Sequence, residues 1–284
     1  MAQLLKGLAV ANALTEQLTG RVAALKAKNV IPTLAILRVG QRPDDLSYET
    51  GAMKRCAKVG IDVRQFLLPS DCTREQLLDV IQTINGDPSI HGCLMFRPLP
   101  DRAMEEAACA LLAPEKDVDC MTAESLATVF TGKGSGYPPC TAESCMELLE
   151  HYNIPLEGKR VAVIGRSLVI GRPVSMMLLA RNATVTMCHT KTVDMAEICR
   201  NAEILVVAAG KAGVVDGSFT APGQVILDVG INVDAEGKLC GDVNFGETEP
   251  LVDAITPVPG GVGSVTTAVL AKHVIEAAEK TVNQ

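Results

Sequence analysis

The sequence predicts an α/β fold in which parallel strands are joined by helices. Along its 284 residues, short β-branched apolar runs alternate with longer amphipathic stretches, a pattern typical of parallel sheets with helical connections. A Gly/Pro-rich passage at residues 131–139 interrupts the alternation. We therefore expect two α/β domains, divided near this passage.

The first half of the chain contains three predicted strands separated by helices. The order is helix 8–28, strand 33–39, helix 46–59, strand 62–68, helix 73–85 and strand 92–95. Helix 46–59 follows Pro43-Asp44-Asp45, residues that suit a helix start.

The second half begins with a helix over 141–152, which places the domain boundary just after the linker. Strands follow at 160–164, 184–188, 204–208 and 225–229. The predicted domains are residues 1–138 and residues 139–265, and a C-terminal helix over 266–284 is expected to complete the first domain.

Composition limits the possible classes of function. A net charge of −7 argues against general affinity for nucleic acid or acidic membranes. Apolar runs such as residues 204–209 are too short to cross a bilayer, and the N-terminus resembles no leader sequence, so we expect a cytoplasmic protein. Ten cysteines without a Cys-x-x-Cys motif, and only four histidines, predict free thiols and no metal site.

A glycine turn follows the strand at 160–164. In Gly165-Arg166-Ser167-x-x-x-Gly171-x-Pro173, a buried strand enters a tight turn, and a helix is expected to begin near Pro173. This arrangement directs backbone N–H groups and a helix N-terminus at a phosphate, which predicts a Rossmann-type dinucleotide-binding domain. The alternative is an ordinary strand-turn-helix corner that needs glycine only for packing.

The end of the next strand distinguishes the two nicotinamide cofactors. An NAD site usually has Asp or Glu there for the ribose 2′-hydroxyl, yet residues 184–192 contain no acid and Asp194 lies too far along. Arg166 is well placed to bind a 2′-phosphate. We therefore predict NADP, and a surface arginine is the alternative interpretation of Arg166.

Further motifs carry a resemblance to a known family. They are Tyr48-x-x-x-Ala52, Gly92-Cys93-Leu94-Met95-Phe96-Arg97-Pro98-Leu99-Pro100, Lys116-Asp117-Val118-Asp119-Cys120, Asp228-Val229-Gly230-Ile231-Asn232, Gly241-Asp242-Val243 and Thr256-Pro257-Val258-Pro259-Gly260-Gly261-Val262-Gly263. With the glycine turn, they resemble the methylenetetrahydrofolate dehydrogenase/cyclohydrolase family over nearly the whole chain. The resemblance implies two α/β domains, the second a Rossmann-type doubly wound parallel sheet, with the folate cleft between them. It also implies tetrahydrofolate one-carbon derivatives as substrates and, commonly, a homodimer.

The resemblance assigns roles to individual residues. Tyr48 and Asp119 are implied to act in catalysis and, with Pro259, Gly260 and Gly261, to bind the folate substrate. The implied cofactor-binding residues are Thr141, Gly165, Arg166, Ser167, Gly171, Thr190, Val229, Ile231 and Thr266. The sequence departs from the family pattern at Cys120, which replaces a glycine, and at Ser264-Val265, which replaces Pro-Met. Arg97 stands where an apolar residue is common; we interpret it as solvent-facing, with a contact to the folate glutamate or a water as the alternative.

Two other departures concern one functional pair. The family has Tyr-x-x-x-Lys, in which the lysine serves hydrolysis, and a glutamine before Pro-Leu-Pro supports that lysine; here Ala52 and Phe96 occupy these positions. Lys54 projects roughly 200° around the helix from Ala52. Hydride transfer needs positioning, whereas hydrolysis needs an acid/base group. Loss of the pair should therefore spare oxidation and cripple hydrolysis.

We expect an NADP-dependent 5,10-methylenetetrahydrofolate dehydrogenase with little or no cyclohydrolase activity, working beside a separate cyclohydrolase. One alternative is a bifunctional enzyme in which Lys54 or a water chain replaces the lysine. A second is a catalytically silent folate or nucleotide sensor. A third is another two-domain NADP enzyme, such as a shikimate-type dehydrogenase, against which the motifs at 116–120 and 256–263 argue.

Overall fold

The computed structural model describes residues 1–282, which divide by their internal contacts into two α/β units. The six-stranded unit consists of Met1–Asn12 and Thr141–Thr266. The three-stranded unit consists of Ala13–Cys140 and the residues from Thr267 onward. Each unit is therefore assembled from two separate stretches of chain.

The regular elements of the described residues follow in chain order. The strands are β1 (Gln3–Leu4), β2 (Thr33–Val39), β3 (Asp62–Leu68), β4 (Gly92–Met95), β5 (Arg160–Ile164), β6 (Thr184–Cys188), β7 (Ile204–Val207), β8 (Val225–Asp228), β9 (Asn232–Val233), β10 (Leu239–Cys240) and β11 (Ala254–Ile255). The α-helices are α1 (Gly7–Lys26), α2 (Pro43–Val59), α3 (Arg74–Gly86), α4 (Arg102–Leu111), α5 (Ala123–Thr131), α6 (Cys140–His151), α7 (Gly171–Ala180), α8 (Met195–Arg200), α9 (Phe245–Thr248) and α10 (Thr266–Val282).

Three parallel strands in the order β3–β2–β4 form the sheet of the three-stranded unit. Its central strand β2 is buried along its full length, as expected for a central parallel strand. Helix α2 follows, with Pro43 in its first turn and Asp44 and Asp45 at its positive end. Gly60, with a φ of 88°, ends α2 in the left-handed conformation that glycine adopts readily.

One parallel sheet in the order β1–β11–β8–β7–β5–β6 forms the six-stranded unit. After β5 the chain adds β6 on one side and then crosses to β7 on the other, so the strand order reverses beside β5. In doubly wound sheets, ligands bind at the carboxyl ends of the strands at such a switch point. The predicted α/β fold with a Rossmann-type doubly wound parallel sheet is confirmed.

The differences from the predicted elements lie at helix starts, at the N-terminus and in the helices α4 and α5, which the sequence did not predict. The helix predicted over 46–59 begins at Pro43, and the helix after the glycine turn begins at Gly171 instead of near Pro173. Strand β1 pairs with β11, so residues 1–12 belong to the six-stranded unit, whereas the predicted division placed them in the first domain. The domain boundaries near residues 138 and 265 stay predictions.

Three features concern the chain as a whole. All ten cysteines are free thiols, and eight of them are buried. No helix among residues 1–282 is both long and apolar enough to cross a membrane. Within the same residues, no cluster of three or more His, Cys, Asp or Glu side chains has the arrangement of a metal site.

Candidate active site

Tyr48 and Ala52 lie on one face of α2, about one helical turn apart. Tyr48 is half-buried, and Ala52 is 0 % exposed. Phe96, which follows β4, packs its ring edge-to-face against Tyr48 at a centroid distance of 6.1 Å, a favourable aromatic geometry. Where the family pattern has a lysine and a glutamine, this protein therefore has a buried methyl group and a buried ring.

The charged side chains that neighbour Tyr48 and Ala52 along α2 are either exposed or paired. Lys54 is exposed and lies off the buried face that contains Ala52. Glu49 is buried, and its carboxylate binds Arg38 of β2 at 2.6 Å and accepts a hydrogen bond from Gln65 of β3. Lys54 is thus on the wrong side of the helix to replace a lysine at position 52, and Glu49 is held by two partners.

The motif around Asp119 contains two carboxylates with different surroundings. Asp117 is fully buried and accepts hydrogen bonds from the backbone N–H groups of Met121 at 2.8 Å and Thr122 at 2.7 Å. Asp119 is half-buried, and its Oδ1 accepts a hydrogen bond of 2.9 Å from the N–H of Cys140. Asp117 therefore shapes the loop, and Asp119 keeps part of its surface available to a ligand.

Asp119 is fixed from two helices. Burial raises its pKa, and the N–H of Cys140, followed by the charges of His273 and Arg97, acts in the opposite direction. Nδ1 of the buried His273, in α10, lies 2.8 Å from the carbonyl oxygen of Val118 and 3.8 Å from Sγ of Cys140. The segment that carries Asp119 is thus connected to α6 through Cys140 and to α10 through His273.

Two departures from the family pattern adjoin Asp119. Cys120 has a φ of 59°, a left-handed conformation that costs a residue with a side chain roughly 1–2 kcal/mol. The expected glycine at this position would meet a real conformational requirement. The side chain of Arg97 is 27 % exposed and lies 4.0 Å from Glu105. Arg97 is therefore half-buried beside an acidic side chain, and our interpretation of it as solvent-facing stays a prediction.

Close backbone approach explains both glycines of the turn between β5 and α7. Gly165 has a φ of 128°, and a Cβ there would lie 2.2 Å from the carbonyl oxygen of Ala208. A Cβ at Gly171 would lie 2.2 Å from the carbonyl oxygen of Gly165. Helix α7 begins at Gly171 without a side-chain hydrogen bond to its first turn. The turn thus combines a tight backbone cradle with an uncapped helix N-terminus, the combination that suits a phosphate.

A cavity of about 270 Å³ lies at this turn. Its lining includes four of the predicted cofactor residues, namely Gly165, Arg166, Ser167 and Thr190, together with His189 and Ala209. Arg166 and Thr190 are exposed, and none of the described lining residues is acidic. We call this the turn cavity.

A second cavity, of about 240 Å³, lies at the end of β8 and is called the loop cavity below. Val229 and Ile231, predicted to contact cofactor, and Pro259, Gly260 and Gly261, predicted to contact substrate, all line it. Gly260 has a φ of 105°, and its carbonyl oxygen accepts a hydrogen bond of 2.8 Å from the N–H of Gly7. The loop cavity thus brings together residues predicted for both ligands.

Three predicted cofactor residues line neither cavity in the described structure. Thr141 lies in the first turn of α6. Thr266 begins α10, and its hydroxyl donates a hydrogen bond of 3.1 Å to the carbonyl oxygen of Gly263. Gly171 is buried at the start of α7, so its contribution is to the shape of the turn.

Sequence reasoning missed two buried carboxylates beside the cavities, Asp228 and Asp242. Burial raises the pKa of Asp228 to about 6, against the effect of three backbone N–H groups that donate to it. The available signal was the pair of family-like motifs, residues 228–232 and 241–243, in which these acids lie.

Comparison with known proteins assigns both halves of the chain. Residues 5–119 match the tetrahydrofolate dehydrogenase/cyclohydrolase catalytic domain, and residues 139–282 match the NAD(P)-binding domain of the same family. A relative from Carboxydothermus hydrogenoformans, named bifunctional protein FolD, is 52 % identical over 281 residues, or 98 % of each chain.

Solved structures show the same similarity. The bifunctional enzyme FolD from Campylobacter jejuni, a methylenetetrahydrofolate dehydrogenase/cyclohydrolase, has a TM-score of 0.94 and 36 % identity, with 99 % of this chain and 100 % of that chain covered. FolD from Trypanosoma brucei, complexed with NADP cofactor and inhibitor, has a TM-score of 0.93 and 34 % identity, with 100 % and 99 % covered. By its fold, its motifs and these matches, the chain belongs to the tetrahydrofolate dehydrogenase/cyclohydrolase family.

Proposed function

We propose that this protein oxidises 5,10-methylenetetrahydrofolate to 5,10-methenyltetrahydrofolate with NADP, and that it hydrolyses the product slowly or not at all. The observation that carries the proposal is the buried pair at positions 52 and 96. Ala52 offers a methyl group with 0 % exposure, and Phe96 offers a ring packed on Tyr48. Neither side chain can donate or accept a proton.

Oxidation of the substrate needs no proton donor or acceptor at positions 52 and 96. When bound, NADP accepts the hydride from the bridging carbon of the folate. The residues of the chain have to hold both ligands with the reacting carbons in near-attack geometry, which by itself gives a large acceleration. We propose that the nicotinamide binds in the loop cavity, against Val229, Ile231 and the backbone of 259–261.

Arg166 supports NADP as the cofactor. It is exposed beside Thr190 in a cavity whose described lining has no acid. A guanidinium can pair with a 2′-phosphate through charge-assisted hydrogen bonds, whereas an NAD site usually supplies an acid for the ribose 2′-hydroxyl. The NADP complex of the Trypanosoma brucei relative supports the same choice.

For the folate, we propose that Asp119 binds the pterin ring. A carboxylate can accept two parallel hydrogen bonds from an amino-pyrimidinone edge, and Asp119 is only half-buried. The aromatic pair of Tyr48 and Phe96 would form one wall of the binding site.

The names of the relatives favour a second candidate, a bifunctional enzyme. Proteins named bifunctional FolD, such as the one from Carboxydothermus hydrogenoformans, support that alternative better than they support a loss of hydrolysis. A bifunctional enzyme would need an acid/base group other than residue 52. Lys54 is exposed on another side of α2, so this candidate depends on a water chain or on a group outside the helix.

One assay tests the proposal and its alternative. Purified protein is mixed with 5,10-methylenetetrahydrofolate and NADP while reduced cofactor and methenyl product are both recorded, and methenyltetrahydrofolate alone is then compared with a buffer control. We expect reduced cofactor, accumulating methenyl product and hydrolysis at the buffer rate. Hydrolysis well above buffer would identify the bifunctional enzyme, and tight binding of both ligands without turnover would identify a sensor.

Two associations belong to the same proposal. A dehydrogenase without hydrolysis implies a separate cyclohydrolase that consumes or supplies the methenyl compound. The homodimer common in the family stays a prediction, which sedimentation equilibrium of the purified protein would test.

A further inference from the structure

Asp242 connects two segments of the six-stranded unit. It is fully buried, and its carboxylate accepts hydrogen bonds from the backbone N–H groups of Ala209 at 2.6 Å, Gly210 at 2.9 Å and Lys211 at 2.9 Å. Its Oδ1 also accepts a hydrogen bond of 2.9 Å from Nδ2 of Asn232. One side chain therefore holds the segment 209–211, which follows β7, together with β9.

Asp228, the last residue of the neighbouring strand β8, makes a similar connection. Its carboxylate accepts hydrogen bonds of 3.0 Å from the N–H groups of Gly230, Asp242 and Val243. Its own N–H donates to Oγ1 of the buried Thr256 at 2.7 Å. Since Pro257 and the residues after it line the loop cavity, Asp228 holds both walls of that cavity.

The two carboxylates are packed against glycine backbones that leave no room for movement. A Cβ at Gly241 would lie 1.9 Å from Oδ2 of Asp228, and a Cβ at Gly230 would lie 2.3 Å from Cγ of Asp242. Ala209 lines the turn cavity, and Gly230 lines the loop cavity. The connected pair Asp228–Asp242 thus fixes a wall of each cavity through one continuous set of hydrogen bonds.

We propose that Asp242 and Asp228 are positioning residues for a nicotinamide dinucleotide, which keep the turn cavity and the loop cavity in the register that lets both ends of the ligand bind at once. The inference rests on the proposed function in taking the two cavities as the two ends of the cofactor site. A carboxylate suits this task because it is an acceptor with several lone pairs and no donor. An asparagine in place of either aspartate would point its amide N–H donors at backbone N–H groups. These donors would then lack acceptors, which favours movement of the cavity walls.

The competing explanation is that these bonds only stabilise the fold, and Gln224 is a matched control for it. Gln224 is buried in the same unit, accepts a hydrogen bond of 2.7 Å from the N–H of Ala221, and donates bonds of 2.7 Å to the carbonyl oxygens of Cys199 and Ala202. It lines neither cavity. Loss of its side chain should lower stability and leave ligand affinity unchanged.

The test compares the full-length wild type with N232A, D242N and Q224A. Calorimetry measures the Kd of NADP and of adenosine 2′,5′-bisphosphate, which can occupy only one of the two cavities, well below the melting temperature of each variant. We expect N232A to weaken NADP by about tenfold and adenosine 2′,5′-bisphosphate by less than about threefold, on the scale of one or two lost hydrogen bonds. D242N also frees the segment 209–211 beside the turn cavity, so it should weaken both ligands, and NADP by the larger factor. Q224A should lower Tm without changing either Kd.

N232A keeps the inference testable if D242N does not fold, because it removes only one hydrogen bond to Asp242. Unchanged NADP affinity in N232A, or equal losses for NADP and the bisphosphate, would overturn the positioning role. An equal loss of NADP affinity in Q224A would do the same. A wild type that binds no NADP would overturn the proposed function itself, a distinct result.

Discussion

A methyl group on the buried face of α2 and a phenyl ring after β4 stand where the family pattern has an amine and an amide. A buried amine must be desolvated, which costs free energy and lowers its pKa. The pairing of Phe96 with Tyr48 has no such cost and adds about 0.5–1.5 kcal/mol beyond the area that it buries. Ala52 and Phe96, in place of the lysine and glutamine of the family pattern, therefore favour stability.

Restoring both polar residues should restore hydrolysis. We expect A52K/F96Q to hydrolyse methenyltetrahydrofolate faster than the wild type by on the order of 100-fold, the lower end of what general acid/base groups contribute. The buried lysine should lower the unfolding free energy by about 1–3 kcal/mol. The control is M53K, which adds a lysine at the neighbouring position, where Met53 is 37 % exposed. Absorbance assays measure the rate of methenyltetrahydrofolate hydrolysis, and urea unfolding measures the unfolding free energy. An A52K/F96Q protein that oxidises substrate but hydrolyses at the wild-type rate would contradict our account of these positions.

Removal of the Arg166 charge should reduce the preference for NADP. We expect R166Q to weaken NADP by about 10–100-fold, since hydrogen bonds between charged groups are worth about 1.5–3 kcal/mol. Affinity for NAD, which lacks the 2′-phosphate, should change little. R172Q is the control, because Arg172 is exposed in the first turn of α7 and does not line the turn cavity. Equal effects of R166Q on both cofactors, measured by calorimetry, would show that Arg166 does not read the 2′-phosphate.

At the scale of elements, the sequence predicted the strands that are long enough to show a run of apolar or β-branched residues. Strands β2, β3, β4, β5 and β6 have the predicted bounds. Strands β2, β4 and β5 are buried and form nearly continuous apolar runs, whereas the edge strands β3 and β6 are partly exposed and were indicated by their β-branched and apolar residues. The two-residue strands β1, β9, β10 and β11 are too short to show any periodicity, and their pairing depends on contacts far along the chain. Pro43 lies at the N-terminus of α2, where proline is well tolerated, so that helix starts before its apolar pattern does.

Some parts of the candidate site could likewise be predicted from the sequence, and others could not. The glycine turn predicted the turn cavity because three of the lining residues, Gly165, Arg166 and Ser167, are adjacent in sequence and chemically distinctive. The role of Asp242 had no such signal, since three of its partners are backbone N–H groups more than 30 residues away. Backbone partners leave no mark on residue type, so only the folded chain reveals them.

Two glycine-to-alanine changes in helices should have opposite effects. G171A would place a Cβ 2.2 Å from the carbonyl oxygen of Gly165, so we expect a loss of about 1–3 kcal/mol in unfolding free energy and weaker NADP binding. G20A lies in α1 with no atom within 4 Å of the added Cβ, and should stabilise by about 0.5–1 kcal/mol because alanine favours helix. Thermal unfolding of both variants measures this. A G171A protein as stable as the wild type would show that the turn relaxes more easily than its geometry implies.

At the scale of the whole molecule, stability should depend on pH through Asp228. Burial raises its pKa from 3.8 to about 6, so the folded chain binds this proton more tightly than the unfolded chain does. Its contribution to stability is fully present below the unfolded-state pKa and is lost as the pH rises through about 6. We expect the unfolding free energy of the wild type, relative to D228N, to fall between about pH 4 and pH 7 by on the order of 3 kcal/mol.

Urea unfolding at several pH values checks this, and a constant difference between the two proteins would contradict it. If D228N does not fold, a carbon-13 NMR titration of the Asp228 carboxyl in the wild type gives the same information. A titration midpoint near the ordinary value would show that the backbone N–H groups offset the effect of burial.

Helix α10 contributes fully buried residues, among them Ala268, Val274 and Ala278, and from Thr267 onward it belongs to the unit that begins at Ala13. During synthesis on a ribosome, the residues of the six-stranded unit have all emerged once Thr266 has passed the exit tunnel. The core between the strands β2 to β4 and the helices α3 and α4 consists of residues between Ala35 and Met121, whereas the part of β4 that faces Val274 is covered only once α10 has been made. The last part of the message thus encodes the helix that completes the unit translated first.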